Sequence, residues 1–118
     1  MTTMYTIYHN PRCSKSREAL SLLENAGVPL TIVRYLDDPL DSAVIKKLLK
    51  KLGVPARELM RQKETEYNSL GLADQALSED DLIDAILRHP RLLERPVVVH
   101  GNRAVIARPP ERVQELLK

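Results

Sequence analysis

The pattern of apolar residues predicts an α/β protein with a mixed sheet, and three observations carry that expectation. Short stretches of two-residue alternation are interleaved with stretches of helical periodicity along the chain. The apolar inventory is aliphatic, with no Trp, no Phe and four Tyr, so a core of Leu, Val, Ile and Ala fits helices layered on a sheet. At 118 residues the chain is long enough to bury one core and too short for two, so a single domain over 1–118 is expected.

Met4 to Tyr8 alternates as a short strand, and His9-Asn10-Pro11-Arg12 breaks the alternation with turn-forming residues. From Ser14 a helix follows, carrying Ala19, Leu20, Leu22, Leu23 and Ala26 at helical spacing, with Gly27 as its stop. Leu30 to Leu36 reads as a second strand. Asp41 or Ser42 then caps a helix that turns Val44, Ile45, Leu48, Leu49 and Leu52 inward and ends at Gly53.

Between about 54 and 93 no strand pattern is convincing, and the stretch is expected to be a helical insertion. Ser78-Glu79-Asp80-Asp81 supplies a helix start with a capping-box acid at its third position. Val97 to His100 and Ala104 to Ala107 flank Gly101-Asn102-Arg103, the pattern of a β-hairpin. Pro109-Pro110 can open a last helix to Leu117, with Val113, Leu116 and Leu117 on one face. The order β-α-β-α, helical insertion, β-β-α matches a thioredoxin-like fold, with the first two strands parallel through a right-handed crossover.

No apolar run approaches the roughly 20 residues needed to span a bilayer, and the polar start Met1-Thr2-Thr3-Met4 lacks the regions of a signal peptide. A cytoplasmic protein is expected. A net charge of +2 with interspersed signs gives no argument for nucleic acid or membrane as partner. The single cysteine excludes an intrachain disulfide and a Cys-rich zinc site, and His9, His89 and His100 have no metal-ligand spacing. Neither a metal nor a tightly bound cofactor is expected. Any chemistry at Cys13 must borrow its second thiol.

Cys13 stands between a strand-ending loop and the first turn of a helix, where unsatisfied N–H groups and the helix dipole favour a thiolate. Arg12, Lys15, Arg17 and His9 lie near it in sequence, and any of them could lower the thiol pKa. The bland alternative is a small buried hydrophobe, the commoner fate of a free cysteine. Thiolate formation alone is a small lever. Lowering the pKa by about two units gains roughly 25-fold in thiolate at pH 7, while the loss of nucleophilicity costs roughly 6- to 10-fold. For an oxyanion substrate, cations that neutralise its repulsion toward the thiolate must supply more.

The run His9-Asn10-Pro11-Arg12-Cys13-Ser14-Lys15-Ser16-Arg17 resembles the active-site loop of the ArsC-type arsenate reductases, which use glutathione and glutaredoxin. Glu58-Leu59-Met60-Arg61, Glu94-Arg95-Pro96-Val97-Val98-Val99 and Ala107-Arg108-Pro109 resemble, in order and spacing, the three arginine-bearing segments of that family. The resemblance implies that Cys13 attacks arsenate or another small oxyanion while Arg61, Arg95 and Arg108 hold its oxygens. It also implies that His9 helps lower the thiol pKa, that Ser16 hydrogen-bonds the thiolate, and that Pro96 is the cis-proline facing the cysteine. Glutathione would then act as co-substrate and a glutaredoxin as partner. Arginine suits the task, because its planar fork offers two parallel charge-assisted bonds to an oxyanion.

Three rival readings use the same residues. A monothiol glutathione-linked oxidoreductase would need Cys13 but not three arginines. An Spx-like regulator binding RNA polymerase would have little need of catalysis, and the C-x-x-C switch of many such proteins is absent, since Ser16 stands at the second position. A cysteine phosphatase would require a C-x5-R loop, whereas three residues separate Cys13 from Arg17.

Overall fold

The computed structural model describes residues 4–38 and 40–117. In chain order it contains β1 (Tyr5–Tyr8), α1 (Ser14–Asn25), β2 (Leu30–Val33), α2 (Ser42–Leu52), α3 (Thr65–Ser69), α4 (Glu79–Arg88), β3 (Val97–His100), β4 (Arg103–Ile106) and α5 (Gln114–Leu117). Turns of 3₁₀ helix stand at Ala56–Leu59, Pro90–Leu92 and Pro110–Val113. The chain forms two compact units, Met1–Asp38 with Arg95–Lys118, and Pro39–Glu94. The insertion expected at 54–93 falls inside the second.

The first unit holds a four-stranded mixed sheet in the order β2-β1-β3-β4, with β1 parallel to β2 and antiparallel to β3. This is the α/β, thioredoxin-like arrangement. Tyr5 and Ile7 of β1, Val98 of β3 and Val105 of β4 share one face, because alternate residues of paired strands do. Ala19 and Leu23 of α1 pack on that face together with Val113 and Leu116. β3 is one of the two interior strands, and Val97, Val98 and Val99 are all buried, which is why it reads as an unbroken valine run rather than an alternation.

Where strands end is set by turn chemistry. β2 stops at Val33, three residues before the expected Leu36, because the Arg34 carbonyl accepts from the N–H groups of Asp37 and Asp38 and turns the chain. Tyr35 is swung into the interior by that turn and is 2% exposed. In the hairpin, His100 pairs with Arg103, so the loop is the two residues Gly101 and Asn102 rather than three, and β4 begins at Arg103. Gly101 has φ +61°, a conformation that β-carbon sterics reserve largely for glycine. The last helix splits into a 3₁₀ turn, Pro110–Val113, with Pro109 at its N-cap, followed by α5.

The second unit is helical. Asp41 caps α2 by accepting the Val44 N–H at 2.9 Å, and Gly53 closes it with φ +69°. α4 opens on a full capping box, in which the Ser78 hydroxyl accepts from the Asp81 N–H and the Asp81 carboxylate accepts from the Ser78 N–H. Ile45 and Leu48 of α2 and Leu82, Ile83 and Ile86 of α4 are buried, and α4 packs on α2 and on the 3₁₀ turns at Ala56–Leu59 and Pro90–Leu92. An isolated antiparallel bridge joins Met60 to Leu93, a pairing too short to leave a strand pattern in sequence.

Candidate active site

Cys13 is the N-cap residue of α1, with an extended backbone (φ −94°, ψ 123°). Its N–H donates to the Asn10 carbonyl at 3.0 Å, and its own carbonyl accepts from the Arg17 N–H at 3.0 Å, so the residue is pinned at the loop-to-helix junction. The loop is braced from both ends. Asn10 Oδ1 accepts the Arg12 N–H at 3.0 Å, and Arg17 Nη1 donates to the Pro11 carbonyl at 3.0 Å.

Burial pushes the Cys13 thiol up, and this is the largest single influence on it. Four favourable contributions together outweigh it and hold the thiol below its ordinary value: the Ser16 N–H, the Arg95 charge, the Lys15 N–H and the Arg108 charge. The cations acting on the thiol are thus the distant Arg95 and Arg108. Among its sequence neighbours, Lys15 acts through its backbone N–H at the helix start.

His9 and Ser16 meet each other. Ser16 is fully buried, its hydroxyl 2.6 Å from His9 Nδ1 and accepting the Asn10 N–H at 3.1 Å. It is therefore the backbone N–H of Ser16 that faces the thiol, while the hydroxyl orders the loop. Burial lowers the His9 pKa, the charges of Arg34 and Arg17 lower it further, and Glu24 opposes them. The ring is accordingly held toward its neutral form.

The Arg95–Pro96 bond is cis, as the resemblance implies, and so is Arg108–Pro109, which no sequence signal distinguished. Arg95 Nε and Nη1 are both buried and have no hydrogen-bond partner among the described residues. Arg108 Nη1 donates to the Arg95 carbonyl at 3.3 Å, linking the two arginine segments. Arg61 lies in the second unit, 3.3 Å from Glu64 Oε1, an oxygen it shares with Arg91 at 3.4 Å.

His89 closes α4 through its N–H to the Ala85 carbonyl, and His100 stacks on Tyr5 with ring centroids 3.9 Å apart. Arg34, which sequence reasoning passed over, acts on His9 from the end of β2; its place directly after a strand parallel to β1 was the available signal. Among the described residues no group of three or more His, Cys, Asp or Glu side chains is placed to hold a metal ion, and no helix is long and apolar enough to cross a membrane.

The ArsC family profile matches residues 8–116. The chain is 48% identical over 112 residues to an arsenate reductase of Neisseria meningitidis (serogroup A), covering 94% of this chain and 96% of that one. It is 55% identical over 118 residues to an uncharacterized protein of Escherichia coli (strain K12), with 99% of each chain covered. Among solved structures, the arsenate reductase of Vibrio cholerae superposes with a TM-score of 0.94 at 45% identity, covering 98% of both chains.

Proposed function

Since this chain belongs to the ArsC family, we propose that it is an arsenate reductase whose nucleophile is Cys13. The observation that carries the reading is the Arg95 guanidinium. Two of its nitrogens are buried without a hydrogen-bond partner among the described residues while its charge bears on the Cys13 thiol. Buried unpaired donors of a cation cost several kcal/mol unless something accepts from them, and an oxyanion poised for thiolate attack is such an acceptor. Arg108, tied to the Arg95 backbone, adds a second positive charge to the same thiol. Arg61 enters the reading through its family segment alone.

In this mechanism the Cys13 thiolate attacks arsenic, an As–O bond breaks, and the oxygen leaves protonated as water or hydroxide. Arg95 and Arg108 neutralise the repulsion of anion against anion, which is where most of the rate must come from. His9, held toward neutrality and bonded to Ser16, fixes the loop that presents the helix N–H groups. Pro96 shapes the segment on which Arg95 sits.

The chain has one cysteine, so the two electrons that reduce the arsenic come from external thiols, which leave as a disulfide. Glutathione as the attacking thiol and a glutaredoxin as the final reductant complete the proposal, in a cytoplasmic setting. Purified protein should reduce arsenate with glutathione and glutaredoxin. No turnover with these reductants, or no arsenate binding to the resting protein, would remove the reading in favour of a monothiol oxidoreductase.

A further inference from the structure

A groove of about 290 Å³ lies beside the Cys13 loop, lined by Asn10, Pro11 and Arg12 from the loop and by Arg34, Leu36 and Asp37 from the turn after β2. The two segments are tied together where the His9 N–H donates to the Val33 carbonyl at 2.8 Å. Arg12 and Arg34 are exposed, and among the described residues neither has an acidic partner. Leu36 is one of few large apolar side chains left in solvent, at 38% exposure. The volume is at the lower edge of the roughly 300–1,000 Å³ of small-molecule sites, enough for part of a short peptide.

Two guanidiniums, one carboxylate and an apolar floor form a specific chemical pattern. A bare oxyanion would use the arginines but would be repelled by Asp37 and gain nothing from Leu36. A molecule with two carboxylates, one ammonium and an aliphatic chain uses all of them. We propose that this groove binds the glutathionyl group, with Arg12 and Arg34 taking its carboxylates, Asp37 its ammonium, and Pro11 and Leu36 covering the chain between. Arg12 adjoins Cys13 in the chain, so a glutathione held here lies beside the loop that carries the thiol. The inference rests on reading the chain as a glutathione-linked thiol enzyme, and it does not require arsenate.

The test uses disulfides on the full chain. The Cys13 thiolate attacks one sulfur of glutathione disulfide, the S–S bond breaks, and glutathione leaves as its thiolate, giving a Cys13–glutathione mixed disulfide. The neutral 2-hydroxyethyl disulfide undergoes the same exchange without the charged ends. Arg12→Ser with Arg34→Ser should lower the rate with glutathione disulfide, relative to the rate with the neutral disulfide, about 10-fold or more. Asp37→Asn should also slow the glutathione reaction, whereas simple attraction of an anion would make it faster. Equal effects on both disulfides, no effect on either, or acceleration by Asp37→Asn would overturn the proposal. Wild-type arsenate turnover is measured alongside: selectivity without turnover removes the arsenate reading and keeps the groove, and turnover without selectivity does the reverse.

Discussion

At the scale of single residues, opposing influences set the Cys13 thiol: burial raises its pKa, while backbone N–H groups and the charges of Arg95 and Arg108 together hold it below the ordinary value. Cys13→Ser should abolish arsenate turnover with the circular dichroism spectrum intact, because a hydroxyl at this position does not ionise near neutral pH. Arg95→Ala should raise the midpoint of Cys13 alkylation by a neutral reagent toward the ordinary value of about 8.5, and should lower arsenate turnover by roughly 10- to 150-fold. Turnover unchanged in that variant would sink the oxyanion role. His9 gives a stability signature of definite sign. Its folded pKa lies below the ordinary value of about 6.5, so the unfolded chain takes up the proton first and stability is lost as pH falls below that value toward the folded one. The urea midpoint of wild type should therefore drop more between pH 7.5 and 5.5 than that of His9→Asn. The loop residues of this site were legible because Cys13, His9 and Ser16 crowd into one short segment. That Ser16 acts on the thiol through its N–H and serves His9 with its hydroxyl could not be read from spacing, since both bonds depend on where the loop turns.

At the scale of elements, caps decide the boundaries. Ser78→Ala removes one half of the capping box that opens α4 and should cost about 1 kcal/mol, read as a lower denaturant midpoint with an unchanged slope. Asp81→Ala, which removes the reciprocal bond, should act in the same direction and less than additively with it, because both changes act on one cap. An additive pair would show that the two bonds are independent. The same logic explains which boundaries the sequence disclosed. Gly27 and Gly53 marked helix ends correctly, because a positive φ is a demand few other residues meet. The end of β2 was misplaced since Arg34, Tyr35 and Leu36 look like strand, and the turn that removes them is made by backbone bonds to Asp37 and Asp38.

At the scale of the whole molecule, order of elements was legible and spatial grouping was not. Ile7, Leu23, Val98, Val113 and Leu116 come from segments spread over the chain and pack into one cluster, which apolar periodicity announces only as faces awaiting partners. Leu23→Ala, at a fully buried position between α1 and the sheet, should cost 2–5 kcal/mol, a large share of the roughly 5–15 kcal/mol of a small domain. A loss below about 1 kcal/mol would mean that the site is less tightly packed than its burial indicates. The absence of Trp has an optical consequence. The intrinsic ultraviolet emission of this protein belongs to its four tyrosines alone, and burial has distributed them: Tyr5, Tyr8 and Tyr35 fall in the first unit and Tyr67 in the second. Replacing Tyr67 by Phe silences one unit and leaves the other reporting, so a pair of melting curves, with and without that ring, would show whether the halves of this chain come apart at one temperature or at two.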